Sequence, residues 1–308
     1  MAYAQVIPQP ISLSASPPSP EPRSSFTVSA STPTFEKETA FFEWTADGKA
    51  LREFSGLGAH QITLTAGAVG SPTKISVAVS RRDGDGGSAS LTVIPSELSL
   101  PWIADTSVPL WYTGKALATP GADVSVVAVP QIIIGGAAIP PQDLIYRWSI
   151  DNTRAALAGA GKQEFRFRAS DLAQSTHQID VVVEDLDARI RKEGRALITT
   201  DATPRLTLYP SLALGGAEQR RAGSSAARPG LFDIIAEAFF FPLSSLSSLA
   251  YAWTIDGVQT PTPRDDPRLI TIDATGQAGE TLTAGLVVRA PNLFQASYSG
   301  FFNLFVAP

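Results

Sequence analysis

The sequence predicts an all-β protein built as three antiparallel β-sandwich domains in tandem. Three observations predict it. An aromatic-x-Trp motif occurs three times at the spacing of one sandwich domain, short runs alternating apolar and polar residues flank each copy in the same order, and no segment carries a helical period with start and stop signals.

The motif copies are Phe42-Glu43-Trp44-Thr45-Ala46-Asp47-Gly48, Tyr146-Arg147-Trp148-Ser149-Ile150-Asp151-Asn152 and Tyr251-Ala252-Trp253-Thr254-Ile255-Asp256-Gly257. Each alternates large apolar with polar side chains and stops at Asp-Gly or Asp-Asn, as a strand does on entering a tight turn. Trp44, Trp148 and Trp253 stand 104 and 105 residues apart. Their shared register in an alternating strand makes them core anchors rather than exposed stacking platforms.

Upstream of each Trp the alternation predicts a strand at 26–30, 124–129 and 232–238. Downstream, Gly56-Leu57-Gly58 and Gly159-Ala160-Gly161 lead into strands at 61–64 and 164–167. In the third repeat the strand at 269–272 follows prolines instead. A long strand comes next, at 74–80, 178–184 and 281–289, and a last one at 89–94, 196–200 and 301–306. Asp171-Leu172-Ala173-Gln174 has room for one helical turn. The connections are mostly too short for crossover helices, so the sheets are expected to be antiparallel. Pro95 and Pro204 follow the last strands of the first two repeats, placing the domains at 1–95, 96–203 and 204–308. A proline near each junction stiffens it, which suits a serial spacer.

Composition narrows the function. Over 308 residues the chain is 44% hydrophobic and 17% charged, enough apolar material for packed interiors. Its 24 Lys and Arg are scattered singly and the net charge is -5, so there is no basic stripe for nucleic acid. The absence of cysteine removes disulfides, thiolate metal sites and cysteine nucleophiles. Ala2-Tyr3-Ala4 before Gln5 has the small-x-small form of a signal-peptidase site, so export through a signal peptide cleaved near Ala4 is expected. The apolar run Phe239-Phe240-Phe241 is closed by Pro242 and no run is long enough to span a bilayer, which leaves any membrane anchor outside this chain.

The chain resembles the immunoglobulin-like superfamily, and within it the PKD-type domains of bacterial cell-surface proteins. The aromatic-x-Trp motif carries the resemblance in all three repeats. In the first repeat, Ile11-Ser12-Leu13-Ser14-Ala15-Ser16-Pro17 looks like a PKD first strand, and Arg81-Arg82-Asp83-Gly84-Asp85-Gly86-Gly87 looks like the family's Asp/Gly-rich hairpin. The hairpins at Asp185-Leu186-Asp187-Ala188-Arg189 and Pro291-Asn292-Leu293 depart from that pattern. Trp102-Ile103-Ala104-Asp105 with Gly114-Lys115-Ala116-Leu117 is similar to segments of bacterial surface proteins encoded near type IV pilus components.

Catalytic chemistry has little material. His60 and His177 fall in different repeats, each just before a predicted strand as an exposed residue, and neither has a Ser or carboxylate constellation. Asp83 and Asp85 could offer two carboxylates to Ca²⁺, but that ion takes about 6–8 oxygens, so the segment reads as a glycine-rich turn and no metal site is expected. Of the three asparagines, Asn152 and Asn292 fall in turns, which argues against a Lys-Asn isopeptide crosslink; the third is Asn303.

Two long connections remain. Residues 101–121 carry Trp102, Leu110, Trp111, Tyr112 and Lys115, candidate contacts for a protein partner, with packing against repeat one as the alternative. Residues 209–230, with Gly215-Gly216 and Arg220-Arg221, read as flexible. The expected function is a non-enzymatic, extracellular structural or adhesive protein without cofactor. It would meet protein partners or neighbouring subunits at a cell surface or pilus through its loops and strand edges. The alternative is a carbohydrate- or protein-binding accessory region of a secreted hydrolase.

Overall fold

In a computed structural model, which describes residues 11–32, 36–82, 86–211, 222–291, 293 and 297–308 and only the backbone of 154–156, the alternating runs form the strands of an all-β, immunoglobulin-like fold. In repeat one the strands are β1 (Ser12–Ser16), β2 (Ser25–Ser31), β3 (Phe41–Ala46), β4 (Lys49–Ala50), β5 (Gln61–Thr65), β6 (Thr73–Ser80) and β7 (Gly86–Val93). Repeat two has β8 (Trp102–Ala104), β9 (Asp123–Val127), β10 (Ile145–Ile150), β11 (Thr153–Ala160), β12 (Glu164–Arg168), β13 (Thr176–Glu184) and β14 (Arg191–Thr199). Repeat three has β15 (Arg205–Pro210), β16 (Ser224–Ala227), β17 (Leu231–Phe239), β18 (Ala250–Ile255), β19 (Val258–Thr260), β20 (Leu269–Asp273), β21 (Thr281–Arg289) and β22 (Ser297–Val306).

The three repeats share one sheet plan. The orders β1-β2-β5, β8-β9-β12 and β15-β17-β20 give a three-stranded sheet each time. The orders β4-β3-β6-β7, β11-β10-β13-β14 and β19-β18-β21-β22 give the second. In every repeat the strand after the Asp-Gly or Asp-Asn turn pairs back onto the Trp strand. That pairing makes the architecture a sandwich of three strands against four in repeat two and, with Gly56–Leu57 on β3 and β16 on β22, against five in repeats one and three. Among the described residues, the exception to antiparallel pairing in these sheets is β16, which runs parallel to β22 over Ser224–Ala227. A long stretch of chain separates those two strands, so no short crossover is needed.

The Trp residues lie where an alternating strand must put them. Trp44, Trp148 and Trp253 are 1%, 1% and 0% exposed. Each indole N–H donates to a carbonyl just ahead of β5, β12 or β20: Ala59 at 2.7 Å, Lys162 at 2.8 Å and Pro267 at 2.9 Å. A buried indole needs that partner. Trp148 stacks on Phe165 at 5.5 Å. Tyr146, two residues before it, is fully buried and donates to Pro141 O, and burial pushes its hydroxyl pKa up to about 12.

The Asp of each motif does more than turn the chain. Asp47, Asp151 and Asp256 all take the left-handed conformation, φ 50°, 50° and 49°, as a type I′ turn requires. Lys74 N–H donates to Asp47 Oδ1, and Thr283 N–H donates to Asp256 Oδ1, both at 2.8 Å. The backbones are bonded there as well, Asp47 N to Lys74 O and Asp256 N to Thr283 O. The carboxylate therefore clamps the start of β6 and β21 to the turn, 27 residues away in each case.

Several expectations needed correction. His60 and His177 are half-buried rather than exposed. His60 Nδ1 bonds Gly58 O at 2.9 Å, and His177, inside β13 rather than before it, accepts the Ser170 N–H on Nε2 at 3.0 Å. The segment 171–174 forms turns, with Gln174 at φ 59°, not a helical turn. The last strand of repeat two begins five residues early, at Arg191, and the connection at 101–121 opens with strand β8. Asp83–Asp85, Asn292, 212–221 and the Ala2-Tyr3-Ala4 site lie outside the described residues.

The chain divides into two compact units, Met1–Pro101 with Val127–Phe165 and Ile179–Ala196, and Trp102–Val126 with Arg166–Gln178 and Leu197–Pro308. In the first unit Lys192 is buried, and its ammonium is satisfied by Ser19 O at 3.1 Å and Glu21 Oε1 at 2.6 Å. In the second, residues 105–119 lie on repeat three.

Candidate functional site: an aromatic groove on repeat three

The segment after β8 is held to the end of β17 by main-chain and side-chain bonds. Ser107 N donates to Phe241 O at 2.7 Å and Phe240 N donates to Ser107 O at 2.6 Å. The Ser107 hydroxyl donates to Ala238 O at 2.7 Å and accepts the Phe241 N–H at 3.1 Å. Leu243 N donates to Asp105 O, and the Thr119 hydroxyl to Phe240 O. Ser107→Ala removes the two side-chain bonds and is expected to lower the stability of this unit by about 1–2 kcal/mol, read from thermal melts. A change below about 0.5 kcal/mol would mean that the backbone pairing alone holds the segment.

Phe240 has φ 61°, an uncommon conformation for a bulky residue. It breaks the strand alternation. Phe239 and Phe240 both join a cluster with Tyr209, while Phe241 enters the core of repeat three and meets Tyr298 edge-on at 4.7 Å. Trp111 packs edge-on against Tyr209 and Phe239 at 5.3 and 6.0 Å, and Tyr112 against Phe239 and Phe240 at 5.7 and 6.0 Å. Arg205 lies 5.0 Å from the Phe239 ring.

The four residues singled out for binding thus fall into two groups. Trp111 and Tyr112 are half-buried in the aromatic cluster and pack on repeat three. Trp102 pairs with Lys115, whose Nζ stands 3.0 Å from the ring centroid in a cation–π contact. Partial burial holds the Lys115 ammonium below the ordinary lysine range. Leu110, beside Trp111, is fully exposed.

Between this segment and repeat three runs a groove of about 880 Å³, lined by Leu110 and Trp111 of the segment and by Leu246, Tyr251, Asp266 and Arg268 of repeat three. Arg268 binds Asp266 through Nε to Oδ1 at 3.0 Å and Nη2 to Oδ2 at 2.9 Å. That contact holds the Asp266 carboxyl below the usual aspartate range. The groove therefore offers apolar and aromatic walls with a few polar groups, among them Glu237 and the oriented Asp266–Arg268 pair, the usual make-up of a binding cleft. Sequence reasoning missed Ser107, Asp266 and Arg268. Among the described residues no three His, Asp or Glu side chains are grouped to hold a metal ion.

No protein-family model and no curated protein matches the chain. Solved structures similar to it are arrays of related β domains. Fibronectin(III)-like modules of Clostridium thermocellum CbhA share 13% identity over 61% of this chain and 93% of theirs, with a TM-score of 0.29. Three N-terminal domains of the bacteriophage RB49 Highly Immunogenic Outer Capsid protein share 11% over 96% and 98%, at 0.26. A structure from a 1.5-MDa bacterial ice-binding adhesin shares 11% over 99% and 100%, at 0.24. At such scores these likenesses decide nothing, and the fold assignment rests on the sheet plan above.

Proposed function

We propose that the chain is a non-enzymatic, extracellular structural or adhesive protein, a series of immunoglobulin-like, PKD-type repeats divided near 95 and 203 and displayed at a bacterial cell surface or pilus. The observation that supports it best is the groove on repeat three. Its segment is fixed in place by paired backbone bonds, its walls are apolar and aromatic, and it presents the fully exposed Leu110 at its rim. A rigid cleft with an exposed apolar residue suits a protein contact. Of the ionisable groups that line it, Asp266 and Arg268 are committed to each other as a bidentate pair and Glu237 adds its charge beside Arg268, which suits recognition rather than proton transfer.

The test is made on cells and on the purified chain. Labelled antibody should stain intact cells, external protease should remove the signal, and the protein should co-purify with surface filaments or another envelope protein. Leu110→Asp, at a position where folding does not depend on the side chain, should abolish that co-purification. Signal confined to the cell interior, or turnover in a broad hydrolase screen, would overturn the proposal.

A further inference from the structure

The shared sheet plan allows the outward faces of the four-stranded sheets to be compared position by position. In repeat one the outward residues of β6 and β7 are Lys74, Ser76 and Ala78 opposite Thr92, Ser90 and Ser88, small and mostly polar. In repeat two the face is laced with ion pairs: Arg195 to Asp180 at 2.6 Å, Arg191 to Glu184 at 2.6 Å, and Arg147 to the same Glu184. Both are well-solvated surfaces. Repeat three differs. Thr281, Thr283, Gly285 and Val287 on β21 lie opposite Phe305, Asn303, Phe301 and Ser299 on β22, and Thr254 and Ala252 of β18 continue the same rows. Among the described residues no charge occurs on these rows until Arg289, at their end.

Phe301 and Phe305 are 65% and 46% exposed. They stand four residues apart on one strand, about 13 Å between Cα atoms. Phe301 lies over Gly285, where an added Cβ would come within 3.4 Å of a ring carbon, so the ring covers a position with no side chain of its own. Beside Phe305 is a shallow groove of about 460 Å³ lined by Ser224, Ser225, Ala226, Thr281 and Asn303. The Thr283 hydroxyl donates to Asn303 Oδ1 at 3.0 Å, which commits the amide oxygen to the sheet.

From this face we infer that repeat three binds a neutral polysaccharide chain lying along β22, with Phe301 and Phe305 as stacking platforms and the Asn303, Thr281 and Ser224 groups bonding sugar hydroxyls. The chemistry matches on each count. Aromatic faces take the C–H faces of sugar rings, and hydroxyl and amide groups exchange hydrogen bonds with hydroxyls. An anionic polymer would be desolvated on this face without a partner for its charge. Two platforms about 13 Å apart engage a chain rather than a single sugar. The inference does not depend on the groove at Leu110.

Affinity electrophoresis of the full chain tests it, in gels containing hydroxyethylcellulose, galactomannan or dextran, and alginate as the anionic comparison. The wild type should be retarded in at least one neutral gel and not in alginate. Phe301→Ala/Phe305→Ala should weaken that retardation at least about tenfold, with the melting temperature unchanged because both side chains are exposed. Asn303→Asp should weaken it with the aromatic surface intact, and Leu110→Asp should leave it as it is. Retardation in no neutral gel, or retardation that the double variant keeps, would overturn the inference. So would concentration-dependent self-association that the double variant abolishes in the absence of polysaccharide binding, because the face would then belong to a second copy of the chain.

Discussion

Trp148→Ala should destabilise the protein by about 3–5 kcal/mol, the largest effect expected of any single substitution here. The side chain is 1% exposed, stacked on Phe165 and bonded to Lys162 O. Its loss removes packing and strands a carbonyl at once, with no disulfide to restrain the unfolded chain. Denaturant unfolding of the intact chain measures it. Trp148→Phe separates the two contributions, since it keeps most of the aromatic volume and loses the indole N–H, and should cost about 1–3 kcal/mol. An alanine effect below about 1 kcal/mol would mean that the site collapses around the gap, and that the Trp does not anchor this repeat.

Asp185→Ala should be next in size, at about 2–3 kcal/mol, and should also change the response to acid. The carboxylate is buried at the turn between β13 and β14, where Oδ1 accepts the Ile190 N–H and Oδ2 the Arg189 Nε–H, both at 2.8 Å. Burial alone would raise its pKa. The Ile190 and Arg189 hydrogen bonds outweigh burial and hold it below the ordinary aspartate range. Most of the effect is assigned to the Ile190 N–H, because Arg189 is half exposed and screened by solvent. A carboxyl depressed in the folded state contributes stability above its unfolded pKa of about 4, and that contribution is lost as pH falls through the lower folded value. Melts of wild type and Asp185→Asn between pH 7 and pH 2 should therefore converge in acid. A constant gap across that range would remove the carboxylate's charge from the explanation.

What could be read from the sequence was whatever depends on local period. The Trp strands, the strands on either side of them and the strand at 281–289 are legible because alternation over a few residues fixes both the backbone and the buried face. The turn at Asp47-Gly48 was legible for the same reason. The clamp that the same carboxylate makes on β6 was not, since its partner is 27 residues on. The groove was still further from view. Ser107 and Ala238 are 131 residues apart, and nothing in either neighbourhood announces the other. Phe239-Phe240-Phe241 was visible as an apolar run, but only the left-handed turn at Phe240 decides that two rings leave the core and one enters it. Strand β16 was read as loop because Ser-Ser-Ala-Ala has no apolar alternation.

That short parallel strand has a consequence for how the molecule survives at high concentration. Ser-Tyr-Ser-Gly-Phe-Phe-Asn-Leu-Phe-Val, the whole of β22, is ten residues without a charge or a proline, and it is rich in aromatics. Segments of that kind seed cross-β fibres when their backbone edge is bare. One edge of β22 is taken by β21, and β16 occupies the other from Asn303 to Val306. Four residues of low strand propensity thus work as a guard rail. They bring no core side chains of note, yet they leave an incoming chain no full-length template to extend. A protease cut that released Ser224–Ala227 would turn the most fibre-prone stretch of repeat three into an open edge while its hydrophobic core was still intact.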